Sequence, residues 1–230
     1  MGILDLIFPK RCVGCGKVGK YFCSRCISSI KLIAPNESIC PVCEKPAIDG
    51  HTHPKCQSKY ALDGLTSFFR YDGVIRKAIK AVKYRYIFDL AKEFISLIPS
   101  SPLNELTKLQ NFEASLIVPI PLHPTRLRNR GFNQAEVLGK LLAQRLHMPM
   151  RTDILKRIKK TTPQVEMKDR KKRLENMKDV FSVFNSSFNI QHSHIILFDD
   201  VFTTGATMRA AAKILKQSGA TFVWAITMAR

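Results

Sequence analysis

The chain has 230 residues, with 37 Lys and Arg against 18 Asp and Glu, 45% hydrophobic residues and a formal charge of +19. This hydrophobic content is ordinary for a globular protein and excludes disorder as the general state, while the length accommodates one ordinary domain plus a small one without covalent staples. No apolar run approaches the roughly 18 residues needed to span a bilayer, and the start, Met1 to Pro9, lacks a basic secretory n-region, which predicts a soluble, intracellular protein. The charge makes a polyanion the first partner to consider.

All seven cysteines lie before residue 57, as Cys12-x2-Cys15, Cys23-x2-Cys26, Cys40-x2-Cys43 and a single Cys56. A two-residue gap forms a tight knuckle that presents two thiolates to one tetrahedral ion. His53-x2-Cys56 supplies a fourth pair, so the chain offers ligands for two zinc ions. The simplest division is Cys12, Cys15, Cys23 and Cys26 for one and Cys40, Cys43, His53 and Cys56 for the other. His51 is the competing imidazole, and His53 is preferred because it repeats the gap of the other pairs. Spacing alone leaves sequential and interleaved pairings open. Disulfides would need an oxidising compartment, and a thioredoxin-like motif would need a strand and helix around the first knuckle. The segment Gly14-Cys15-Gly16-Lys17-Val18-Gly19-Lys20 mimics nucleotide-binding glycine patterns. It is rejected because Tyr21 stands where a P-loop needs Ser or Thr, and no strand precedes Gly14.

From about residue 62 strands and helices alternate. Leu65 to Tyr71 reads as a strand, the spacing of Val74, Ile75, Ala78, Ile79 and Val82 as a helix, and Leu90 to Ile98 as another. Pro99 to Asn111 reads as a polar, proline-flanked connection. The strand Leu116 to Pro121 follows, then a helix from Asn133 to His147, short strands near Ile154 and over Phe181 to Phe184, and the strand Ile195 to Phe198. A helix from Thr207 to Gln217 and a strand from Phe222 to Met228 close the series. Unbroken apolar strands between helices predict an α/β fold whose parallel sheet is covered on both faces. The domain boundary is expected at 61/62, with a small zinc-ribbon domain before it.

Ligands of such sheets bind at the carboxyl ends of strands, where Ile195 to Phe198 leads into Asp199-Asp200-Val201-Phe202-Thr203-Thr204-Gly205-Ala206-Thr207. A small hydroxyl-rich loop opening a helix can wrap a phosphate. The carboxylates cannot serve that phosphate. They suit vicinal hydroxyls or a magnesium ion, so the pattern describes a ribose 5-phosphate. A Walker B reading fails for want of a P-loop.

The stretch from Phe198 to Thr207 resembles the signature by which type I phosphoribosyltransferases bind phosphoribosyl pyrophosphate (PRPP). Together with the zinc ribbon and Arg130-Gly131-Phe132-Asn133-Gln134, it resembles the ComF (ComFC) competence family nearly end to end. The resemblance implies a type I phosphoribosyltransferase fold in which Asp199 and Asp200 hold the ribose hydroxyls and Thr203, Thr204, Gly205, Ala206 and Thr207 the 5-phosphate, with magnesium accompanying PRPP. It makes the turn at Leu122 and His123 the pyrophosphate loop, with His123 either a contact or only a turn residue. It groups Arg130, Gly131, Asn133 and Gln134 behind that turn. The stretch from Lys159 through Gln164 to Arg173 becomes a mobile closing loop, and Tyr71, Lys80, Lys83 and Tyr84 belong to a variable N-terminal hood. Leu122-His123-Pro124 departs from the small, glycine-containing turn of catalytic relatives, which favours binding over turnover.

The same resemblance implies a role in natural transformation, handling incoming single-stranded DNA in the cytoplasm or at the inner membrane with a helicase-like partner. The alternative is an active transferase acting on a purine, pyrimidine or amine. Residues 123–178 carry sixteen basic and five acidic side chains, so most of the excess charge is central. Phe132 alone interleaves those basic residues, and Phe68, Phe69, Tyr71, Tyr84 and Tyr86 are the expected aromatic candidates for stacking on bases.

Overall fold

A computed structural model describes residues 9–84, 88–107, 115–160, 179–184 and 188–230. The expected parallel sheet is present: β1 (Gly64–Phe69), β2 (Ser115–Pro119), β5 (His194–Val201) and β6 (Phe222–Ala229) pair in parallel in the order β1-β6-β5-β2. Two short strands, β3 (Leu155–Arg157) and β4 (Phe181–Val183), form a separate antiparallel pair. The helices are α1 (Ser24–Ile27), α2 (Gly73–Tyr84), α3 (Phe88–Ser96), α4 (Ser100–Thr107), α5 (Pro124–Arg130), α6 (Gln134–Leu146) and α7 (Ala206–Gln217). Among the described residues no helix is long and apolar enough to cross a membrane.

Alternation along the strands divides the interior into two layers. Ile196 and Phe198 of β5 join Ile117, Ile226 and the apolar faces of α2, α3, α4 and α6. Ile195 and Leu197 join Val118, Val223, Ala225, α7 and the β3-β4 pair. Both faces of the sheet are therefore dry, which explains why its strands read as continuous apolar runs.

Two helices correct the sequence reading. The stretch taken as a connection after Pro99 forms α4, whose Leu103 and Leu106, three residues apart, are buried in the first layer. The basic segment after His123 forms α5, which buries no residue and so offers no apolar stripe to read. Its punctuation is nevertheless complete: His123 caps it, Pro124 starts it and Gly131, at φ 79°, ends it.

The cysteine-rich segment is docked on the sheet domain rather than tethered to it. Phe22 stacks on Phe94 of α3 at 5.9 Å, and Phe94 in turn stacks on Phe69 of β1 at 6.0 Å. Ile33 N–H donates to the Phe68 carbonyl, Glu37 pairs with Arg70, and His51 meets the edge of Trp224 at 4.9 Å. Phe94 lies at the centre of this junction and is fully buried. We expect Phe94→Ala to lower the unfolding free energy by about 3 to 5 kcal/mol in a urea titration, whereas a loss below about 1 kcal/mol would contradict this packing.

Candidate functional site

The open end of the sheet is made by unequal strand lengths. Strand β2 stops at Pro119, paired with Phe198, while β5 runs on to Val201 against β6 alone. Asp199 and Asp200 occupy that overhang. Consecutive strand residues point to opposite faces, yet both carboxylates feel the charge of Lys83. Asp200 is 4% exposed, and its Oδ2 lies 2.7 Å from Nζ of Lys83 on α2. Asp199 lies in the field of Arg157 on β3.

The electrostatics follow from this crowding. Desolvation, then the charge of Asp200, pushes the Asp199 carboxyl far above the ordinary carboxylate range, with Lys83 opposing. Burial alone would lower the Lys83 ammonium, but Asp200, with Asp199 and Tyr71, outweighs it and the pKa is raised. Burial and the neighbouring Arg126 lower Arg157 to about 10, against the pull of Asp199. Lys83 and Arg157 thus flank the acidic pair, with Arg126 beside Arg157. The sequence assigned Lys83 only to the hood, counted Arg157 only within a functional basic cluster, and did not single out Arg126.

The loop after β5 has the form the sequence suggested. Gly205 adopts φ +66°, and a Cβ there would come within 2.4 Å of the Phe202 ring, so only glycine fits. Gly205 also stands at the N-cap of α7, which has no side-chain cap. Thr204, Gly205 and Ala206 are buried, Thr207 is half-buried and Thr203 is exposed. Among the described residues Thr204 Oγ1 is buried without a hydrogen-bond partner. An orphaned hydroxyl beside an uncapped helix start fits a phosphate oxygen.

Behind the β2 end, Asn133 fixes the turn, its Nδ2 donating to the Ile120 carbonyl at 3.0 Å while its Oδ1 accepts the Ala135 N–H at 3.1 Å. Arg130 donates to Gln134, which is itself buried. Leu122 is half-buried, and His123 Nδ1 accepts from Thr125 N–H at 3.3 Å, which makes it a helix cap here. Gln164 and Arg173 lie outside the described residues, as does most of the expected closing loop.

The metal ligands gather into two sets, Cys12, Cys15, Cys23 and Cys26, and Cys40, Cys43, His53 and Cys56, each with its ligand atoms within 4.8 Å of one another. Pairing is sequential. A tetrahedral ion at about 2.3 Å from each sulfur places sulfurs about 3.8 Å apart, and Cys15 and Cys23 Sγ stand 3.7 Å apart. His53 turns Nδ1 toward Cys43 Sγ at 3.3 Å, while its Nε2 lies 2.9 Å from the Pro46 carbonyl, the outer partner that fixes a metal-bound imidazole. His51 stands apart against Trp224. Both sets fit zinc.

Two of the five expected aromatic candidates are withdrawn from the surface. Phe68 and Phe69 are buried in the core, and Tyr86 lies outside the described residues. On the flap formed by β3 and β4, Phe184, 44% exposed, carries Lys156 Nζ 3.2 Å from its ring centre and Arg157 lies over Phe181, while Arg151 beyond the pair lies over Phe188. These rings are distant in sequence from most of the basic residues they meet, so only the β3-β4 pairing reveals them.

The double zinc ribbon domain family matches residues 3–57, and the phosphoribosyl transferase domain family matches residues 133–230. The chain is 31% identical to Competence protein ComFC of Streptococcus pneumoniae, an alignment that covers 90% of this chain and 87% of that protein. It is 28% identical to Competence protein ComFC of Bacillus subtilis, covering 89% and 92%, and 27% identical to DNA utilization protein YhgH of Escherichia coli K12, covering 87% and 86%.

Two measurements check this geometry. Metal analysis is expected to give two zinc ions per chain in the parent and in His51→Ala but one in His53→Ala; two in the last variant would contradict the ligand assignment. Because folding raises the Asp199 pKa, that carboxyl favours the fold below its unfolded value near 4 and ceases to do so as pH rises toward its folded value. Asp199→Asn is therefore expected to match the parent in stability near pH 4 and to exceed it by on the order of 1 kcal/mol or more at pH 8. Equal stability across that range would refute the perturbation.

Proposed function

This chain belongs to the ComF (ComFC) family of competence proteins, and on that premise we propose that it binds PRPP with magnesium and handles single-stranded DNA during natural transformation. The observation that carries the PRPP reading is the acidic pair at the end of β5 beside a glycine loop with an orphaned threonine hydroxyl. Asp199 and Asp200 accept hydrogen bonds from the two ribose hydroxyls. The loop from Thr203 to Thr207 takes the 5-phosphate on its hydroxyls and on the N–H groups of the α7 start. Magnesium, when bound, offsets charge on the pyrophosphate. Lys83 exchanges its ion pair with Asp200 for a phosphate oxygen, and the turn at Leu122 and His123 borders the pyrophosphate.

The DNA reading draws on the flap. Phe184 is an exposed ring with a lysine on one side, and Ile158, Lys159 and Lys160 continue the same edge as exposed residues. Aromatic faces stack on any base and ammonium groups follow the backbone, which gives binding that tolerates sequence and weakens with salt. This function belongs beside a helicase-like partner, in the cytoplasm or at the inner membrane surface. Transferase turnover is favoured by one feature, the cations Lys83 and Arg157 beside the acidic pair, which could stabilise departing pyrophosphate.

Equilibrium titrations separate these activities. Magnesium-PRPP is expected to bind the parent and to lose at least tenfold in affinity with Asp199→Asn combined with Asp200→Asn, and no binding by the parent would overturn the site. Labelled oligo-dT is expected to bind more weakly at 200 mM than at 50 mM salt and to lose about 5- to 160-fold with Phe184→Ala, from the 1 to 3 kcal/mol of one base stack. Unchanged DNA affinity in that variant would exclude the flap. Pyrophosphate release with a purine, pyrimidine or amine would establish an enzyme.

A further inference from the structure

Arg209 lies in the first turn of α7, four residues after Gly205, and its side chain joins the phosphate-type loop to a metal knuckle. Its Nη2 donates to the Thr204 carbonyl at 2.6 Å and its Nη1 donates to the Pro41 carbonyl at 2.7 Å. Pro41 is buried between Cys40 and Cys43, two ligands of the second metal set. The loop closes tightly on this group: a Cβ on Gly205 would stand 2.9 Å from Arg209 Nη1. One planar, permanently charged fork thus holds a carbonyl from each site, and neither position can shift without breaking a charge-assisted bond. The first metal set docks elsewhere, with Lys77 Nζ donating to the Gly14 carbonyl at 2.6 Å.

We propose that Arg209 is a positioning residue that couples the second zinc site to the phosphate loop, so that metal at Cys40, Cys43, His53 and Cys56 pre-orders the loop for phosphate. The proposal rests on reading that loop as the 5-phosphate site. Metal binding fixes the knuckle backbone, the knuckle fixes the Pro41 carbonyl, and the guanidinium passes that constraint to Thr204, whose hydroxyl is the orphaned group of the loop. Binding linkage is reciprocal, so phosphate in the loop must tighten the second zinc by the same factor. A direct contact between Arg209 and the ligand is a different role. There a lysine would substitute, whereas a lysine cannot span the two carbonyls.

The test uses the full chain, Arg209→Ala and Arg209→Lys, each verified to hold two zinc ions. Without PRPP, hydrogen exchange in the peptide spanning Thr203–Thr207 is expected to be about tenfold faster in both variants and in His53→Ala than in the parent. A chromogenic chelator then follows zinc release. In the parent, magnesium-PRPP is expected to slow release from the second set about fivefold or more and to leave the first set unchanged, and in both Arg209 variants the slowing disappears. Unchanged loop exchange in the Arg209 variants overturns the proposal, as does PRPP protection that survives Arg209→Ala or returns with Arg209→Lys. If His53→Ala does not fold, the Arg209 variants decide alone. If PRPP does not bind the parent, the 5-phosphate reading fails separately, and faster loop exchange in the Arg209 variants still supports the link to the metal knuckle.

Discussion

Two carboxylates on consecutive residues at the end of a buried strand need a countercharge from another part of the chain, and most of the site is arranged around supplying it. Lys83 reaches Asp200 from α2, and Arg157 approaches Asp199 from β3. Both cations come from outside the strand-loop-helix segment that carries the acidic pair. The hood helix and the flap are therefore part of the site's electrostatics rather than decorations on the fold. A buried ion pair contributes little net stability against apolar packing, while removing one partner leaves an uncompensated charge. The raised Asp199 carboxyl shows that the compensation is incomplete. Such residual cost is typical of sites kept for ligands rather than for stability.

The metal-binding segment extends the same logic. It buries Phe22 against α3, sets His51 against Trp224, and meets α7 through Arg209. The strongly basic composition divides between two settings. Lys83 and Arg157 serve the acidic pair, while Lys156, Lys159 and Lys160 remain exposed along the flap. Charge near the acidic pair is explained by the site itself, so evidence for a nucleic-acid surface rests on the flap, where aromatic rings accompany the charge.

Features set by local rules were legible in the sequence. Cysteine spacing gave both ligand sets because a knuckle is a property of four consecutive residues. Helix α6 was bounded correctly because Asn133 and His147 cap it, and the parallel strands because burial on both faces leaves unbroken apolar runs. Most of the misses depend on contacts between distant segments, and α5 is the exception. Helix α5 hides because it buries nothing, and α4 because its two leucines matter only against neighbouring helices. Phe68 and Phe69 were offered as stacking surfaces, but both are buried in the first core layer. The partnerships of Lys83 with Asp200, Lys156 with Phe184 and Arg209 with Pro41 cross 28 to 168 positions, and no spacing rule reaches that far.

The central claim is that Lys83 and Asp200 depend on each other. A double-mutant cycle on unfolding free energy, with Lys83→Met, Asp200→Asn and the double variant at pH 7, measures this dependence directly. The account predicts a loss of about 3 to 5 kcal/mol for Lys83→Met alone, because Asp200 is left buried without its cation, and recovery of most of that loss in the double variant. Additive single effects, with a coupling energy within about 0.5 kcal/mol of zero, would contradict it.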